Sequence, residues 1–189
     1  MRSGDPTQQT AADRETGLVT RAARGDREAF AALLQRYQRP VVAFAHRYLG
    51  QRDDAEDVAQ DAFIRVYFSL AKLRQPERFS TYLFATALNL CRRRAARTRP
   101  PLDPEGNTES AESTALRHEE PEQLLRAVAA LPAELRDVVS LRAVEELGFA
   151  EIGEIVGASE GACRVRYHRA KEMLRSALGE SARPAKEQT

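Results

Sequence analysis

Residues 149–171, FAEIGEIVGASEGACRVRYHRAK, predict the local fold of the C-terminal part of this chain. Apolar residues recur at helical spacing up to Val156, and Gly157 follows as a left-handed residue suited to end a helix. Ser159 then provides a good N-cap for a second helix. The stretch therefore predicts two helices joined by a tight glycine turn, which is a helix-turn-helix.

The second helix of this motif separates small apolar residues from basic ones. The inward positions repeat at intervals of three and four and are Ala162, Cys163, Tyr167, Ala170, Leu174 and Ala177. The outward positions are Arg164, Val165, His168 and Arg169. The first turns of such a helix can enter a DNA major groove, where arginine contacts guanine through two hydrogen bonds. We therefore expect this unit to bind DNA; the alternative is a helical hairpin of another function with a solvated His168.

Outside this motif, helical patterns fill residues 17–99 and 122–178, and β-type alternation is scarce. Residues 100–121 between them are rich in proline and acidic residues, a composition typical of linkers. We expect a disordered N-terminal tail over residues 1–16 and a polar tail over residues 179–189. The predicted fold is all-α, with two small helical domains joined by a flexible acidic linker and a helix-turn-helix in the C-terminal domain.

The net charge of +1 conceals an uneven distribution of charge. Residues 17–99 hold 16 Lys and Arg against 8 Asp and Glu, whereas residues 100–121 hold 1 against 6. A basic unit is attracted to nucleic-acid phosphates, and an acidic connector is repelled by them. Unless the charges cluster by chance on solvated faces, this asymmetry indicates that the front unit, residues 17–99, contacts nucleic acid.

The first helices of the front unit have clear start and stop signals. Asp26 is a suitable N-cap for DREAFAALLQRY, whereas Pro40 is expected to start a separate helix that Gly50 ends. A third helix, DDAEDVAQDAFIRVYFSLAK, is expected to begin at a cap formed by Asp53 or Asp54.

The third helix carries large apolar side chains on both of its sides. Its inward stripe is Val58, Ala59, Ala62, Phe63, Val66, Tyr67 and Leu70. Ile64 and Phe68 lie on the opposite side, among Asp57, Asp61 and Arg65. Such a face often marks a protein–protein contact, and the alternative is two scattered surface hydrophobics.

The fourth helix, ERFSTYLFATALNLCRRRAAR, interleaves aromatic and basic residues. Phe79, Leu83, Ala87 and Leu90 share one face, and the residues that leave this face are Tyr82, Phe84, Asn89, Arg92 and Arg93. Aromatic rings can stack on unpaired bases while arginines neutralise the neighbouring phosphates. The alternative is a core helix with a solvated basic end.

Composition argues against several other classes of protein. No apolar run approaches the roughly 20 residues of a membrane span, and the N-terminus lacks the apolar core of a signal peptide, so we expect a cytoplasmic protein without membrane insertion. The two cysteines, Cys91 and Cys163, form no CxxC pair, so neither a disulfide framework nor a zinc site is expected. We expect no enzymatic activity and no cofactor, since the densest acids fit a helix cap and its first turn.

Four motifs, in this order, resemble those of the extracytoplasmic-function (ECF) sigma factors, which give bacterial RNA polymerase its promoter specificity. AARGDREAFAALLQRY resembles the opening helix of the family, and DDAEDVAQDAFIRVY resembles the region that docks on the polymerase clamp. RFSTYLFATALNLCRRR resembles the helix that melts the promoter and reads the −10 element. ELGFAEIGEIVGASEGACRVRYHRAKEMLR resembles the helix-turn-helix that reads the −35 element. The resemblance covers about residues 18–178.

The resemblance implies roles for the residues at matching positions. For binding of core polymerase these are Asp57, Asp61, Phe63, Ile64, Arg65 and Phe68. For the −10 element and DNA melting they are Phe79, Ser80, Thr81, Tyr82, Asn89, Arg92 and Arg93. For the −35 element they are Ser159, Arg164, Val165, His168 and Arg169. The implied partners are core RNA polymerase, promoter DNA and an inhibiting anti-sigma factor.

Two rival hypotheses make different predictions. A stand-alone helix-turn-helix regulator should bind duplex DNA tightly by itself, as a symmetric dimer, but no sensor domain or dimer helix is obvious. A nucleic-acid enzyme would need clustered carboxylates, metal ligands or an activated nucleophile, and divalent-metal-dependent nuclease activity would favour it.

Overall fold

The computed structural model describes residues 6–98, 119–144 and 147–181, and within these ranges every regular element is helical, as predicted. The α-helices are α1 (Pro6–Ala23), α2 (Arg27–Leu49), α3 (Arg52–Ser69), α4 (Phe79–Thr98), α5 (Glu119–Ala130), α6 (Ala133–Arg142), α7 (Phe149–Val156) and α8 (Glu160–Ser181). Two single turns of 3₁₀ helix, Leu70–Lys72 and Pro76–Arg78, lie between α3 and α4. No helix in the described ranges has the length and apolar character needed to span a membrane.

The first helix, α1, begins at Pro6, so residues 6–16, which were expected to be disordered, are helical, whereas residues 1–5 lie outside the described residues. Its C-terminal half packs on α2 through the buried Val19. Glu15 accepts a 2.8 Å hydrogen bond from the Tyr37 hydroxyl and also pairs with Arg36 at 3.0 Å. Polar contacts therefore anchor this part of α1, and a search for apolar periodicity does not detect them.

The second helix is continuous, so Pro40 does not start a separate helix but lies inside α2. Asp26 caps the N-terminus as predicted, and one of its carboxylate oxygens accepts two backbone N–H bonds of 3.0 Å. Gly50 ends the helix at a φ of 79°. Proline removes one backbone donor, but Phe44 just beyond it is fully buried, and burial of the helix on both sides of Pro40 stabilises the helix as one piece.

An aromatic cluster between α2 and α4 forms the centre of the front unit. The Phe84 ring lies 5.8 Å from Phe44 and 6.5 Å from Tyr37, and the Phe79 ring lies 5.5 Å from Tyr37. Phe79 and Phe84 are both fully buried. Phe84, which the sequence predicted to leave the buried face of α4, is therefore a core residue.

The two helical units pack directly against each other. The front unit comprises α1 to α4 and the rear unit α5 to α8; α2 contacts α5 and α6, and α4 contacts α7. One hydrophobic core runs through both units, from Leu88 of α4 to Leu141 of α6. Of the predicted linker, residues 119–121 begin α5, and the rest lies outside the described residues. Of the predicted C-terminal tail, residues 179–181 end α8, and residues 182–189 lie outside the described residues.

Candidate functional site

The stretch predicted to form a helix-turn-helix consists of α7, a tight turn and α8. Gly157 ends α7 at a φ of 72°, and the Ser159 side chain accepts a 3.1 Å hydrogen bond from the backbone N–H of Ala162. Gly153 lies against the turn, where an added Cβ would be 2.6 Å from the carbonyl oxygen of Ala158. The close approach of α7 to the turn therefore depends on Gly153, a constraint that helical spacing does not reveal.

The outward face of α8 lies on the molecular surface. The four side chains predicted to face outward, Arg164, Val165, His168 and Arg169, are all exposed. Cys163 and Ala170 on the opposite face are fully buried. Ser159 is also exposed, but its hydroxyl is engaged as the helix cap.

Phe149, the first residue of α7, contacts two arginines, Arg164 near the start of α8 and Arg142 at the end of α6. The guanidinium of Arg164 is 4.9 Å from the ring centroid, and that of Arg142 is 5.3 Å from it. Arg164 also pairs with Glu160 at 2.6 Å, which restricts its side chain further. Cation–π contacts at exposed sites contribute about 0.5–1 kcal/mol each. Phe149 and Arg142 are candidates that sequence reasoning missed, because these contacts join residues on different helices.

Burial divides the α4 residues that were predicted to contact the −10 element. Phe79 lies in the core, which corrects its assignment as a DNA-reading residue, because the apolar face of α4 extends to its first residue. The half-buried residues are Ser80, Thr81 and Tyr82, and the exposed ones are Asn89, Arg92 and Arg93.

The Tyr82 ring is held beside a crevice between the two units. Its hydroxyl donates a 2.6 Å hydrogen bond to Ser69 Oγ at the end of α3. The crevice has a volume of about 470 Å³, with Arg78 and Thr81 on the front-unit side and Ile155 on the rear-unit side. Tyr82 is therefore half-buried and lines a crevice that residues of α7 also line.

Carboxylates of the rear unit bind two basic side chains of the front unit. Arg92 Nη2 lies 2.6 Å from Asp137 Oδ2, and Asp137 Oδ1 accepts a 2.9 Å hydrogen bond from the Tyr48 hydroxyl. The hydrogen bond with Asp137 raises the pKa of Arg92, and burial raises the pKa of Tyr48, so that both remain donors. Arg78 pairs with Glu154 of α7 at 3.2 Å.

Arg94 of α4 binds the start of α3. It forms ion pairs with Asp54 and, at 3.4 Å, with Asp57. The hydrogen bond to Asp54 raises the pKa of Arg94. Asp53 and Asp54 lie in the first turn of α3 and do not cap it, because the N-cap position is Gln51. Arg94 thus partly neutralises the charge of Asp57, which is one of the predicted polymerase contacts.

An open apolar groove of about 1170 Å³ lies between α2 and α3. Ile64 and Phe68 line it with 47% and 78% of their surface exposed, and Phe63, only 5% exposed, also contributes to its lining. Tyr67, predicted to be part of the core stripe, is 40% exposed and packs its ring 4.8 Å from Phe30. The predicted apolar face of α3 is therefore one wall of a groove.

The other wall of the groove comes from α2. It includes Phe30, Leu34 and Val42, which sequence spacing assigned to a helix but not to a site. Asp61 and Arg65 are exposed elsewhere on α3. Together with Asp57, they give α3 a polar margin beside its apolar wall.

The buried thiols have no visible role in these surfaces. Cys91 and Cys163 are both fully buried, and burial raises the pKa of Cys91 to about 12 and also raises that of Cys163. Thiols in this state are protonated and unreactive. Among the residues that the structure describes, no cluster of three or more His, Cys, Asp or Glu side chains is arranged to hold a metal ion.

Family comparisons match both units of the chain. The model of the Sigma-70 region 2 family matches residues 33–100, and that of the Sigma-70 region 4 family matches residues 121–174. The RNA polymerase sigma-H factor of Pseudomonas aeruginosa is 31% identical over 88% of this chain and 94% of its own length. The ECF RNA polymerase sigma factor SigW of Bacillus subtilis is 31% identical over 85% of this chain and 94% of its own length. The ECF RNA polymerase sigma-E factor of Escherichia coli K12 is 33% identical over 83% and 90%.

Two solved complexes contain a chain with a similar helical arrangement. CnrH, solved in complex with the cytosolic domain of CnrY, superposes with a TM-score of 0.70 at 26% identity, over 89% of this chain and 99% of that one. The sigma factor RpoE of Bartonella quintana, solved with the anti-sigma factor NepR, gives a TM-score of 0.61 over 82% of this chain and 98% of that one. At 19% identity, the second match is evidence of the fold alone.

Proposed function

The chain belongs to the ECF RNA polymerase sigma factors. We propose that three separate surfaces of it bind core polymerase, the −10 element and the −35 element. Sigma factors are transcription initiation factors and not enzymes. The partners of this chain are then core RNA polymerase and promoter DNA, both of which are located in the cytoplasm.

The groove between α2 and α3 is the proposed docking surface for core polymerase. It exposes Phe68 and Ile64 together, and large apolar side chains grouped in this way are typical of protein–protein contacts. Asp61, Arg65 and Asp57 supply a polar margin, as is usual at the rim of an interface. Phe63 supports the groove from below and contributes little surface of its own.

The solvent side of α4 is the proposed surface for the −10 element. Tyr82 offers a ring for stacking on an unpaired base, and Asn89 is available for hydrogen bonds to base edges. Arg92 and Arg93 follow within one turn and suit the phosphates of the separated strand. Ser80 and Thr81 lie at the margin of this surface, and Phe79 supports it from the core.

The outward face of α8 is the proposed surface for the −35 element. Arg164 and Arg169 can bind guanine edges or phosphates, and Val165 suits an apolar contact with a thymine methyl group. His168 lies between them on the same exposed face. Ser159 takes part indirectly, by capping the helix that presents these residues.

We also propose that an anti-sigma factor controls this chain. An exposed apolar groove on a free protein favours a partner that covers it when polymerase is absent. Such an inhibitor would compete with core polymerase for the face around Phe68. Purified inhibitor and core polymerase should then exclude each other in a binding titration.

The observation that carries the proposal is that one chain exposes an apolar groove around Phe68 and a separate basic face around Arg169. The test is transcription with purified core polymerase on a mixture of promoter fragments from the native genome. Addition of the chain should create discrete start sites, and the double substitution His168→Ala and Arg169→Ala should abolish their dependence on the upstream element while core binding is retained. The proposal fails if core polymerase gains no start-site specificity; tight duplex binding without polymerase would instead favour the stand-alone regulator.

A further inference from the structure

The first turns of α3, which contribute Arg52 and Glu56 to the lining of the groove, form an acidic surface. Within residues 52–61 one basic residue stands against five acidic ones, which are Asp53, Asp54, Glu56, Asp57 and Asp61. Arg52 pairs with Glu56 at 2.9 Å. An acidic surface favours a partner surface of the opposite charge, so the carboxylates of this segment affect how tightly a basic partner binds.

Arg94 of α4 contacts two of these carboxylates. Its Nη2 atom donates a hydrogen bond to Asp54 Oδ1 and a longer one, of 3.4 Å, to Asp57 Oδ2. The hydrogen bond to Asp54 is also the main cause of the raised pKa of Arg94. The side chain of Asp54 is 22% exposed, whereas that of Asp57 is 66% exposed. The guanidinium is therefore held mainly by Asp54, and Asp57 keeps most of its surface available to a partner.

The position of Arg94 affects the charge that Asp57 can offer. A cation of a partner that binds Asp57 has to approach the guanidinium of Arg94 as well, and two positive charges at one carboxylate repel each other. If Asp54 lost its charge, Arg94 would be attracted to Asp57, the other carboxylate that it contacts, and would neutralise it more completely. Asp54 and Arg94 should therefore have opposite effects on binding at Asp57.

We propose that Asp54 is a positioning residue for polymerase docking, which holds Arg94 and thereby leaves the carboxylate of Asp57 available to a lysine or arginine of core polymerase. The inference rests on the proposed contact between polymerase and Asp57. Asp54 is half-buried and acts through Arg94, whereas Asp57 itself meets the partner. Arg94 attenuates this contact, so the two residues together set how strongly the start of α3 attracts polymerase.

The first test is a titration of labelled full-length protein with core polymerase at about 0.1 M NaCl, where exposed charges interact over about 10 Å. Asp54→Asn keeps the shape of the side chain and should raise the Kd about threefold, since Arg94 then moves to Asp57. Arg94→Gln should lower the Kd about threefold, since Asp57 then loses its neighbouring cation. Arg94→Lys keeps the positive charge and should give a Kd close to that of wild type. If the ion pair only stabilised the fold, both Asp54→Asn and Arg94→Gln would weaken binding.

The double variant with Asp54→Asn and Arg94→Gln separates an indirect role of Asp54 from a direct one. Without Arg94 no cation can move to Asp57, so the double variant should bind as tightly as Arg94→Gln alone. A direct attraction between Asp54 and polymerase would instead weaken binding by the same factor in both backgrounds. Salt gives an independent readout, because the differences between the variants should shrink at about 1 M NaCl, where the Debye length is about 3 Å.

An ion pair of α5 provides the matched controls. Arg126 and Glu122 lie one turn apart on α5 in the rear unit, pair at 3.8 Å and are both exposed. Arg126→Gln and Glu122→Gln change the net charge of the protein by the same amounts as Arg94→Gln and Asp54→Asn, and both should leave the Kd unchanged. A urea titration of each variant checks that it is folded under the conditions of the binding assay.

The inference is overturned if Arg94→Gln fails to tighten binding, if Asp54→Asn weakens binding equally with and without Arg94, or if the α5 variants shift the Kd as much. Asp57→Asn tests the premise separately and should raise the Kd. If it binds polymerase like wild type, the proposed polymerase contact at Asp57 fails, and the inference fails with it. If Asp57→Asn weakens binding and Arg94→Gln does so too, the contact stands and only the positioning role of Asp54 is overturned.

Discussion

Replacement of Phe68 by alanine should weaken binding to core RNA polymerase by about two orders of magnitude. The residue is 78% exposed in the free protein. A phenylalanine buries roughly 150–250 Å² in an interface, so about 150 Å² of Phe68 is still available to a partner. At about 25 cal/mol per Å², and after allowance for the methyl group that alanine retains, the loss is about 3 kcal/mol in binding free energy. This corresponds to a change in Kd of roughly 100-fold.

The assay is a titration of fluorescently labelled protein with core polymerase, in parallel with Met173→Ala as a control. Met173 is 44% exposed on α8, outside the groove, so its truncation should leave the Kd unchanged. The free energy of unfolding of Phe68→Ala should stay within about 0.5 kcal/mol of wild type, since the side chain is mostly solvated. A Kd within about threefold of wild type, or an equal loss in Met173→Ala, would refute the assignment of the groove.

Three further predictions concern the caps and the recognition helix. Phe149→Leu removes the ring that supports Arg164, and because a cation–π contact contributes about 0.5–1 kcal/mol, it should reduce discrimination between intact and altered −35 elements in transcription assays by about fivefold. Phe149→Tyr keeps an aromatic ring and should restore this discrimination. Equal discrimination by the wild type and both variants would contradict this role. Ser159→Ala removes the cap of α8 and should lower the free energy of unfolding by about 1 kcal/mol in urea titrations, whereas an unchanged midpoint would argue against the cap. The backbone hydrogen bond from Ala29 lowers the pKa of Asp26 in the folded protein, so the ionised carboxylate stabilises the fold fully above its ordinary pKa of 3.8. This stabilisation is lost as the pH falls through the lower pKa of the folded protein, so the difference in free energy of unfolding between wild type and Asp26→Ala should shrink in that acidic range. A constant difference would count against the ionised cap.

The helices α7 and α8 and the tight turn between them could be predicted because their determinants are local. Gly157 and Ser159 adopt the backbone conformation and the cap that their side chains favour, so a short window of sequence contains the necessary information. The exposed apolar side of α3 was predictable for the same reason, since Ile64 and Phe68 are one helical turn apart.

The remaining features depend on contacts between distant parts of the chain. Pro40 looks like a helix start locally, but burial along α2 keeps the helix continuous across it. Phe84 was predicted to leave the buried face of α4, but it is buried because Phe44 and Tyr37 of α2 pack against its ring. The bond between Tyr48 and Asp137 joins residues 89 positions apart, so no local pattern could reveal how the two units meet.

Site-specific cross-linking within an open promoter complex tests the division of surfaces most directly. A photoreactive amino acid is placed at Asn89 on α4 or at His168 on α8, both of which are exposed, and the modified protein is assembled with core polymerase on promoter DNA. Asn89 should cross-link to the separated strand at the −10 element, and His168 to the duplex at the −35 element. Cross-links from both positions to the same element, or none from either in an active complex, would contradict the account.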